Sequence, residues 1–276
     1  MSDARPPHFE QFVKTFGDAA SDGRIVVLTG AGVSAESGIP TFRGPEGFWT
    51  VGSQVHQPQE LATRTFFRRQ PEIVWGWYLY RWSLCRDAAP NAAHLALAEM
   101  SRLLAGRFTL VTQNVDGLHR HAGSAEENTF EIHGNLDWMR CSAACSRALL
   151  AMPPQFMGWE RHRLPGEAEC RQLHCQDCGA WMRPHVLWFD ESYEEEFFRS
   201  ESSMASVASA DLLLVIGTSG ATSLPMHMAQ LAQQRGIPLL SIDPNETAFA
   251  VAQSANQLRA TATSVLPGLL QALTHV

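Results

Sequence analysis

A strong strand signal followed directly by a glycine-rich turn, residues 25–35, constrains the fold most. Residues 25–28 form a continuous apolar run, which is typical of a strand buried on both faces of a parallel sheet. The next six residues, Gly-Ala-Gly-Val-Ser-Ala at 30–35, follow the dinucleotide-binding pattern with Ala in the third glycine position. In this interpretation Gly30 makes the tight turn and Gly32 leaves room for a pyrophosphate. A helix then directs its free N–H groups at the phosphates.

The residues after this turn argue against an ordinary dehydrogenase half. Such a half carries an acidic ribose partner about 20 residues further on, at the end of a second strand. Here Glu46 lies in a loop rich in Gly and Pro instead. The segment 38–43, Gly-Ile-Pro-Thr-Phe-Arg, is a rigid and partly apolar loop with one fixed cation. We expect it to fold over a bound cofactor.

The whole stretch 30–43 resembles the first signature of the sirtuins, the NAD-dependent protein-lysine deacylases. Further segments match this family in the same order, so that the resemblance covers residues 24–267. It implies NAD and zinc as cofactors and acylated protein lysines as substrates. Within the first signature it implies a set of cofactor-binding residues, namely Gly30, Ala31, Gly32, Ser34, Ala35, Pro40, Phe42 and Arg43.

A second predicted strand, residues 107–112, ends in Gln113-Asn114-Val115-Asp116. Polar residues at the carboxyl end of a parallel strand face the ligand crevice. The segment is similar to a sirtuin motif, and the resemblance implies that Asn114 and Asp116 hold the nicotinamide ribose and the carboxamide. It also assigns Gln113 to cofactor binding.

Two later strands end in further cofactor candidates. The strand near 211–216 ends in Gly217, Thr218 and Ser219, which resemble the sirtuin residues that contact the adenosine ribose and phosphate. The strand near 239–242 is followed by Asp243 and Asn245, and an acidic residue at a strand end suits a ribose hydroxyl. By resemblance, Ala262 lies near the adenine.

His133 is the candidate general base. One histidine among 11 is usually not catalytic, although imidazole suits proton transfer near neutral pH. The motif Glu-Ile-His-Gly at 131–134 matches the sirtuin catalytic motif, which implies a catalytic role for His133 together with Asn114 and Asp116. We interpret His94 as a structural or capping residue, and His119 and His121 as surface residues.

Five of the six cysteines fall within 38 residues, and two of them form a C-x-x-C pair. Without a secretion signal this pattern favours metal over disulfides. We predict that zinc is held by Cys141, Cys145, Cys175 and Cys178, with Cys170 as a competing thiol. Four thiolates complete the tetrahedron, so the site is structural. The alternative is a set of reduced cysteines without metal.

The aromatic helix predicted to begin at Pro71 carries a candidate acyl pocket. Tyr78 and Arg81 lie three residues apart and share a helix face. With Ala62 they resemble the pocket of class III sirtuins, which remove succinyl, malonyl and glutaryl groups. An acyl chain that ends in a carboxylate needs a forked cation and space, which Arg and Ala provide. The alternative for Arg81 is a surface ion pair.

Residues 184–191 resemble the strand to which a sirtuin substrate peptide adds by edge pairing. The resemblance implies that Val186 and Phe189 line the lysine tunnel. Asp190 replaces the usual Gly, which puts the local backbone in question. The segment 220–225 also departs from the family pattern, so no peptide contacts are assigned there.

The predicted fold class is α/β, a doubly wound, Rossmann-like parallel sheet with a smaller discontinuous helical and zinc-ribbon domain. We expect residues 8–44, 89–135 and 187–276 in the NAD-binding domain, and 45–88 and 136–186 in the small one. The net charge of −7 without a basic run argues against nucleic acid. The sequence contains neither 18 consecutive apolar residues nor an apolar signal core, so we expect no membrane span and, by default, a cytoplasmic location.

The resemblance implies a complete reaction. The acyl oxygen of a modified lysine attacks the nicotinamide ribose of NAD, and nicotinamide leaves. His133 takes a proton from a ribose hydroxyl, the acyl group passes to ADP-ribose, and free lysine is released. Two alternatives stay open: an NAD hydrolase or ADP-ribosyltransferase on the same site, and a zinc-ribbon binding module with an inactive core. The sequence leaves the target proteins and the oligomeric state open.

Overall fold

Two sheets organise the chain in a computed structural model that describes residues 8–40, 58–249 and 256–274. The larger sheet has six parallel strands. Their spatial order is β3 (Thr129–Glu131), β2 (Phe108–Thr112), β1 (Ile25–Thr29), β7 (Leu212–Ile216), β8 (Leu239–Ile242) and β9 (Gln257–Leu258). The smaller sheet is antiparallel, in the order β5 (Leu150–Ala151), β4 (Gly134–Cys141) and β6 (Met182–Val186).

The register of the central strands brings their carboxyl ends to one edge. Thr29 at the end of β1 lies opposite Thr112 on β2 and Ile216 on β7. Beyond these residues, the backbone N–H of Gly30 donates to Ile216 O at 3.0 Å and that of Gln113 to Thr29 O at 3.0 Å. β2 and β3 lie on one side of β1, and β7, β8 and β9 lie on the other, so the strand order reverses at β1. A ligand crevice is expected at the carboxyl ends of the strands at such a point. The predicted doubly wound parallel sheet is confirmed.

The helices cover both faces of the large sheet and pack beside the small one. The aromatic helix predicted to begin at Pro71 is confirmed, and Pro71 occupies its first turn. No helix among the described residues has the length and apolar character that a bilayer crossing needs. The α-helices are α1 (Phe9–Asp22), α2 (Pro58–Leu61), α3 (Arg64–Arg69), α4 (Pro71–Asp87), α5 (Ala92–Leu104), α6 (Leu118–His121), α7 (Glu167–Gln172), α8 (Glu195–Phe198), α9 (Ser200–Ala208), α10 (Ser223–Gln234) and α11 (Ala262–Thr274).

Three apolar clusters form the core. Two lie on opposite faces of the large sheet, one beneath α1, α5 and α11 and the other beneath α9 and α10. The third fills the space between the aromatic helix α4 and the small sheet. Three aromatic residues of α4 are buried there, namely Trp75, Tyr78 and Trp82. The predicted domain boundaries stay a prediction.

The turn after β1 differs from the prediction. The expected helix is replaced by two short 3₁₀ turns, Ala31–Val33 and Ala35–Ser37, and Gly38 at φ 85° ends the second. A Cβ on Gly32 would lie 2.6 Å from Gly217 Cα. The glycines therefore allow the loops after β1 and β7 to approach closely.

Candidate active site

Polar side chains from two strand ends form one hydrogen-bonded network at the carboxyl edge. Ser34 Oγ donates to Asp116 Oδ2 at 2.7 Å, and Asn114 Nδ2 donates to Ser34 Oγ and to Gly30 O, both at 3.1 Å. Asn114 Oδ1 is buried and accepts no hydrogen bond within the described parts of the chain. Since a buried acceptor without a donor is costly, this atom fits a ligand that donates to it.

A pocket opens beside this network at the carboxyl edge of the sheet. Burial raises the pKa of Asp116 at its rim. Ala35 lies in the adjoining 3₁₀ turn, and Pro40 closes the first described segment. Phe42 and Arg43 lie outside the described residues. The pocket is lined by Ala31, Ser34, Ile39, Cys85, Asn114, Val115 and Asp116.

The ends of β2 and β7 are joined by a second set of contacts. Gln113 Nε2 donates to Thr218 Oγ1 at 2.9 Å, and Gln113 Oε1 accepts from Thr222 Oγ1 at 2.9 Å. The backbone N–H of Gly32 donates to Gly217 O at 2.8 Å. Ser219 is the next residue along and is exposed. The predicted residues of both strand ends thus lie together.

The remaining cofactor candidates lie further along the same edge. Asp243 follows β8, and its Oδ1 accepts from the backbone N–H of Asn245 at 2.8 Å. Burial raises the pKa of the Asp243 carboxyl. Ala262 is buried at the start of α11. Because β8 pairs in parallel with β7, Asp243 lies at the same carboxyl edge as the residues that follow β7.

His133 lies between β3 and β4 and is held at both ring nitrogens. Its Nδ1 is 3.0 Å from Gln113 O, and its Nε2 is 2.9 Å from Tyr193 Oη. A carbonyl oxygen only accepts, so Nδ1 carries the proton and Nε2 of the neutral ring carries the lone pair. Burial lowers the pKa of His133 to about 4. At neutral pH this side chain is therefore an uncharged base.

Two further histidines, His94 and His119, contact Ser34 of the network and Thr29 at the end of β1. His94 completes the capping box of α5 with Asn91, as predicted, and its Nε2 is 3.3 Å from Ser34 Oγ. The prediction that His119 lies on the surface is wrong: it is 2% exposed, and its Nε2 is 3.0 Å from Thr29 Oγ1. Its ring packs against that of His94, with centroids 4.8 Å apart and the planes tilted by 59°. The turn at Gly117 directs the ring inward.

The four predicted zinc ligands form one cluster. Their Sγ atoms all lie within 4.8 Å of one another, and Cys145 Sγ is 3.5 Å from Cys141 Sγ and from Cys175 Sγ. A regular tetrahedron with Zn–S bonds of about 2.3 Å has S···S edges of roughly 3.8 Å, so the cluster, which includes Cys178, fits a zinc ion. Cys170 Sγ instead lies 3.6 Å from Pro165 O.

Ala62 and Tyr78 are buried in the apolar cluster of the small sheet, and Arg81 is buried with its Cζ 4.3 Å from the ring centroid of Trp77. Arg81 is 5% exposed, so the alternative of a surface ion pair is wrong. Burial lowers its pKa to about 9 and raises that of Tyr78 to about 12, and the charge of Arg81 opposes the second shift. Tyr78 Oη accepts from Trp188 Nε1 at 3.0 Å.

The predicted substrate strand ends at Val186, and the segment beyond it contacts both candidate sites. The backbone N–H of Leu187 donates to His133 O at 2.9 Å, and that of Phe189 to Ala62 O at 3.0 Å. Phe189 is 54% exposed. This segment therefore connects the candidate base with the candidate acyl pocket.

Asp190 has a defined structural role. Its carboxylate accepts from the backbone N–H of Arg64 at 2.7 Å and from both N–H and Oγ1 of Thr65, at 3.0 and 2.9 Å. It thereby satisfies free N–H groups in the first turn of α3. The next residue, Glu191, accepts from Arg183 Nη2 at 2.8 Å. These contacts explain how the segment keeps its course with Asp in place of Gly.

Sequence reasoning missed three side chains of this region: Trp188, His119 and Tyr193. Trp188 contacts Tyr78 across 110 positions of the chain, and Tyr193 contacts His133 across 60. No local pattern marks such pairs. The alternation along 186–189, in which Val186 and Trp188 are buried and Phe189 is exposed, could have indicated that Trp188 faces inward.

A family model supports one assignment for most of the chain. The model described as the Sir2 family matches residues 30–223. This range includes His133, the four clustered cysteines and both central strand-end networks.

Individual relatives and a solved structure match between 82% and 96% of this chain. A protein named NAD-dependent protein deacylase from Leptospira interrogans is 39% identical over 234 residues, covering 82% of this chain and 84% of its own. One of the same name from Pyrococcus furiosus is 36% identical and covers 93% and 96%. A solved Sir2 homologue in complex with NAD superposes with a TM-score of 0.77 at 34% identity, covering 96% and 94%.

Proposed function

The chain belongs to the Sir2 family, and from this premise we propose that it removes acyl groups from protein lysines in an NAD-dependent reaction. The products are nicotinamide, O-acyl-ADP-ribose and free lysine. The observation that carries the proposal is a partly buried, neutral His133 with its acceptor nitrogen at the edge of the strand-end network. Relatives named NAD-dependent protein deacylase support the same reaction.

The residues of the network divide the work of binding and proton transfer. Bound NAD supplies a ribose carbon open to attack and nicotinamide as the leaving group. Asn114 offers its unpaired Oδ1 to a donor on the nicotinamide ribose or carboxamide, and Asp116 is oriented by Ser34. His133 accepts a ribose hydroxyl proton at Nε2, while Gln113 O holds the ring through Nδ1.

The zinc ion has a structural role. The four thiolates complete its coordination and leave no open position for water. The cluster joins the end of β4 at Cys141 to the loop before β6, which carries Cys175. Zinc therefore stabilises the small sheet on which the substrate segment begins.

We further propose that the acyl pocket prefers chains that end in a carboxylate, such as succinyl or malonyl. Tyr78 Oη accepts from Trp188 Nε1, which only donates, so the O–H of Tyr78 can donate to a second group. Arg81 is a buried guanidinium whose charged form is disfavoured by its surroundings. A carboxylate placed between the two would accept from both and offset that desolvation. An acetyl methyl group offers neither interaction.

Paired peptides test the proposal directly. One peptide sequence, carrying acetyl-lysine or succinyl-lysine, is incubated with and without NAD, and nicotinamide and peptide mass are followed together. We expect NAD-dependent loss of both acyl groups, with succinyl removed faster. Faster loss of acetyl would contradict the acidic preference and keep the deacylase. Nicotinamide release with both peptides unchanged would contradict the deacylase and indicate an NAD hydrolase or ADP-ribosyltransferase.

A further inference from the structure

The hydroxyl of Tyr193 occupies the acceptor nitrogen of the candidate base. Tyr193 Oη lies 2.9 Å from His133 Nε2, and the two ring centroids are 5.9 Å apart with the planes tilted by 32°. Tyr193 is partly buried, and burial raises its pKa to about 12. The phenol therefore stays protonated near neutral pH and donates its O–H to Nε2.

Only one donor can use this nitrogen. Nδ1 of His133 carries the ring proton because it faces Gln113 O at 3.0 Å. Nε2 of the neutral imidazole then has one lone pair in the ring plane. Tyr193 and a ribose hydroxyl cannot both donate to that lone pair. Any reaction in which His133 takes a proton from a ribose hydroxyl requires Tyr193 to give up this hydrogen bond.

The residues that flank Tyr193 in the sequence are anchored on both sides. Glu191 accepts from Arg183 Nη2 at 2.8 Å and from the backbone N–H of Trp188 at 3.1 Å. On the other side, Glu194 Oε2 accepts from Arg147 Nη2 at 3.1 Å. The chain on both sides of Tyr193 is thus anchored by contacts that do not involve the dinucleotide edge.

We propose that Tyr193 is a positioning residue for His133, which holds the imidazole with its acceptor nitrogen capped and yields that nitrogen to the ribose when NAD binds. This role rests on the proposed function, because it assumes that the ribose of NAD reaches His133. Two consequences follow. The cap keeps the ring in the tautomer that proton transfer requires, and its removal favours NAD binding, since no hydrogen bond has to be exchanged.

Binding of NAD to four proteins tests the exchange without turnover. Calorimetry is carried out on the wild type, Tyr193→Phe, His133→Ala and the double variant. We expect Tyr193→Phe to tighten the Kd for NAD roughly two- to tenfold, the size of one net hydrogen bond, and to leave it unchanged in the His133→Ala background. Tyr80→Phe, which removes a hydroxyl from the other partly buried tyrosine, is the matched control and should leave the Kd unchanged.

An equal effect of Tyr193→Phe in both histidine backgrounds, weaker NAD binding, or an unchanged Kd would each overturn the exchange. A second readout concerns the protein before NAD is added. The imidazole ¹⁵N resonances should report Nδ1 protonated, with Nε2 accepting a hydrogen bond in the wild type and losing it in Tyr193→Phe. The same Nε2 shift in both proteins would contradict the cap.

These readouts separate the two proposals. If the wild type neither binds NAD nor releases nicotinamide from NAD with an acyl peptide, the proposed function fails, whatever the imidazole spectrum shows. If turnover is normal and the Nε2 resonance is insensitive to Tyr193→Phe, the function stands and the role of Tyr193 fails.

Discussion

The two regions of the active site are built in different ways. At the edge of the large sheet, functional residues follow directly on β1, β2 and β7, and strand register brings them together. In the acyl pocket, Ala62, Tyr78 and Trp188 come from separate parts of the chain and meet through side-chain packing. The cofactor edge therefore depends on backbone hydrogen bonds. The proposed acyl pocket depends on a packed aromatic cluster that includes two of the clustered cysteines, Cys141 and Cys175.

Because of this difference, we expect the cofactor edge to govern the reaction common to all acyl groups and the small-sheet region to govern which acyl group is preferred. Backbone register changes little when one side chain is replaced, so the cofactor edge should tolerate changes in the pocket. A packed cluster responds to the loss of a single ring or charge. We therefore expect changes in the small-sheet region to alter stability and acyl preference, and changes at the strand ends to alter turnover with every acyl group.

The largest effect should follow loss of zinc. Structural zinc contributes on the order of 10 kcal/mol in small domains, so Cys175→Ala or chelation should expose the amides of β4 and β6 to solvent. The amides of β1, β2 and β7 should stay protected, because no zinc ligand lies on that sheet. Hydrogen exchange read by mass spectrometry measures both sheets at once.

Cys170→Ala is the control for this experiment, because Cys170 lies outside the zinc cluster. Equal loss of protection in both sheets after zinc removal would show that the two regions do not respond separately. Unchanged protection of β4 and β6 would show that zinc does not stabilise them.

Removal of the base tests the cofactor edge. His133→Ala should lower kcat about 10²- to 10⁴-fold, the usual contribution of a general base. The loss should be the same for acetyl and succinyl peptides, since His133 does not line the acyl pocket. Nicotinamide release measures it, with the exposed His227→Ala as control. A loss restricted to one peptide would contradict the separation of roles.

Acid should destabilise both regions through buried histidines. Burial lowers the pKa of His94 and His133 to about 4 and that of His185 to about 3. Between these values and the ordinary 6.5, the unfolded chain binds more protons than the folded one, so stability rises with pH. His185→Gln should reduce the slope by up to about 1.4 kcal/mol per pH unit.

Urea unfolding between pH 4.5 and 7.5 measures this slope for each variant. His227→Gln, at an exposed position on α10, should leave it unchanged. An unchanged slope for His185→Gln would mean that His185 takes up no extra proton on unfolding.

The smallest effect concerns the cap of α3. Asp190→Ala removes three hydrogen bonds to Arg64 and Thr65 and should cost about 1 kcal/mol of unfolding free energy. It should also raise KM for the acyl peptide, because Phe189 and Ala62 are tied together beside this cap. Chemical denaturation and peptide kinetics check both effects. Asp18→Ala on the exposed face of α1 is the control, and equal effects would contradict the capping role.

The sequence predicted the cofactor edge better than the acyl pocket, for a physical reason. Asn114 and Asp116 could be placed because polar residues after a buried parallel strand face the crevice. The cysteine cluster could be placed because ligand spacing is local. Both kinds of inference use neighbouring residues only.

The two predictions that were wrong depend on contacts between residues that are distant in sequence. The helix expected after β1 is absent because the loops after β1 and β7 pack together at Gly32 and Gly217. His119 is buried because its ring finds Thr29 and His94, both distant in sequence. Tertiary contacts determine the conformation at such positions, and a pattern of residues adjacent in sequence does not predict those contacts.

The most direct test of the account is the selectivity of Arg81→Met. The ratio of kcat/KM for succinyl and acetyl peptides of one sequence is compared with that of the wild type and of Arg171→Met, a change on the exposed face of α7. We predict a roughly 10- to 100-fold loss for the succinyl peptide, the size of a hydrogen bond to a charged group, with the acetyl peptide and the KM for NAD nearly unchanged. Equal losses for both peptides would contradict a separate pocket for acidic acyl groups.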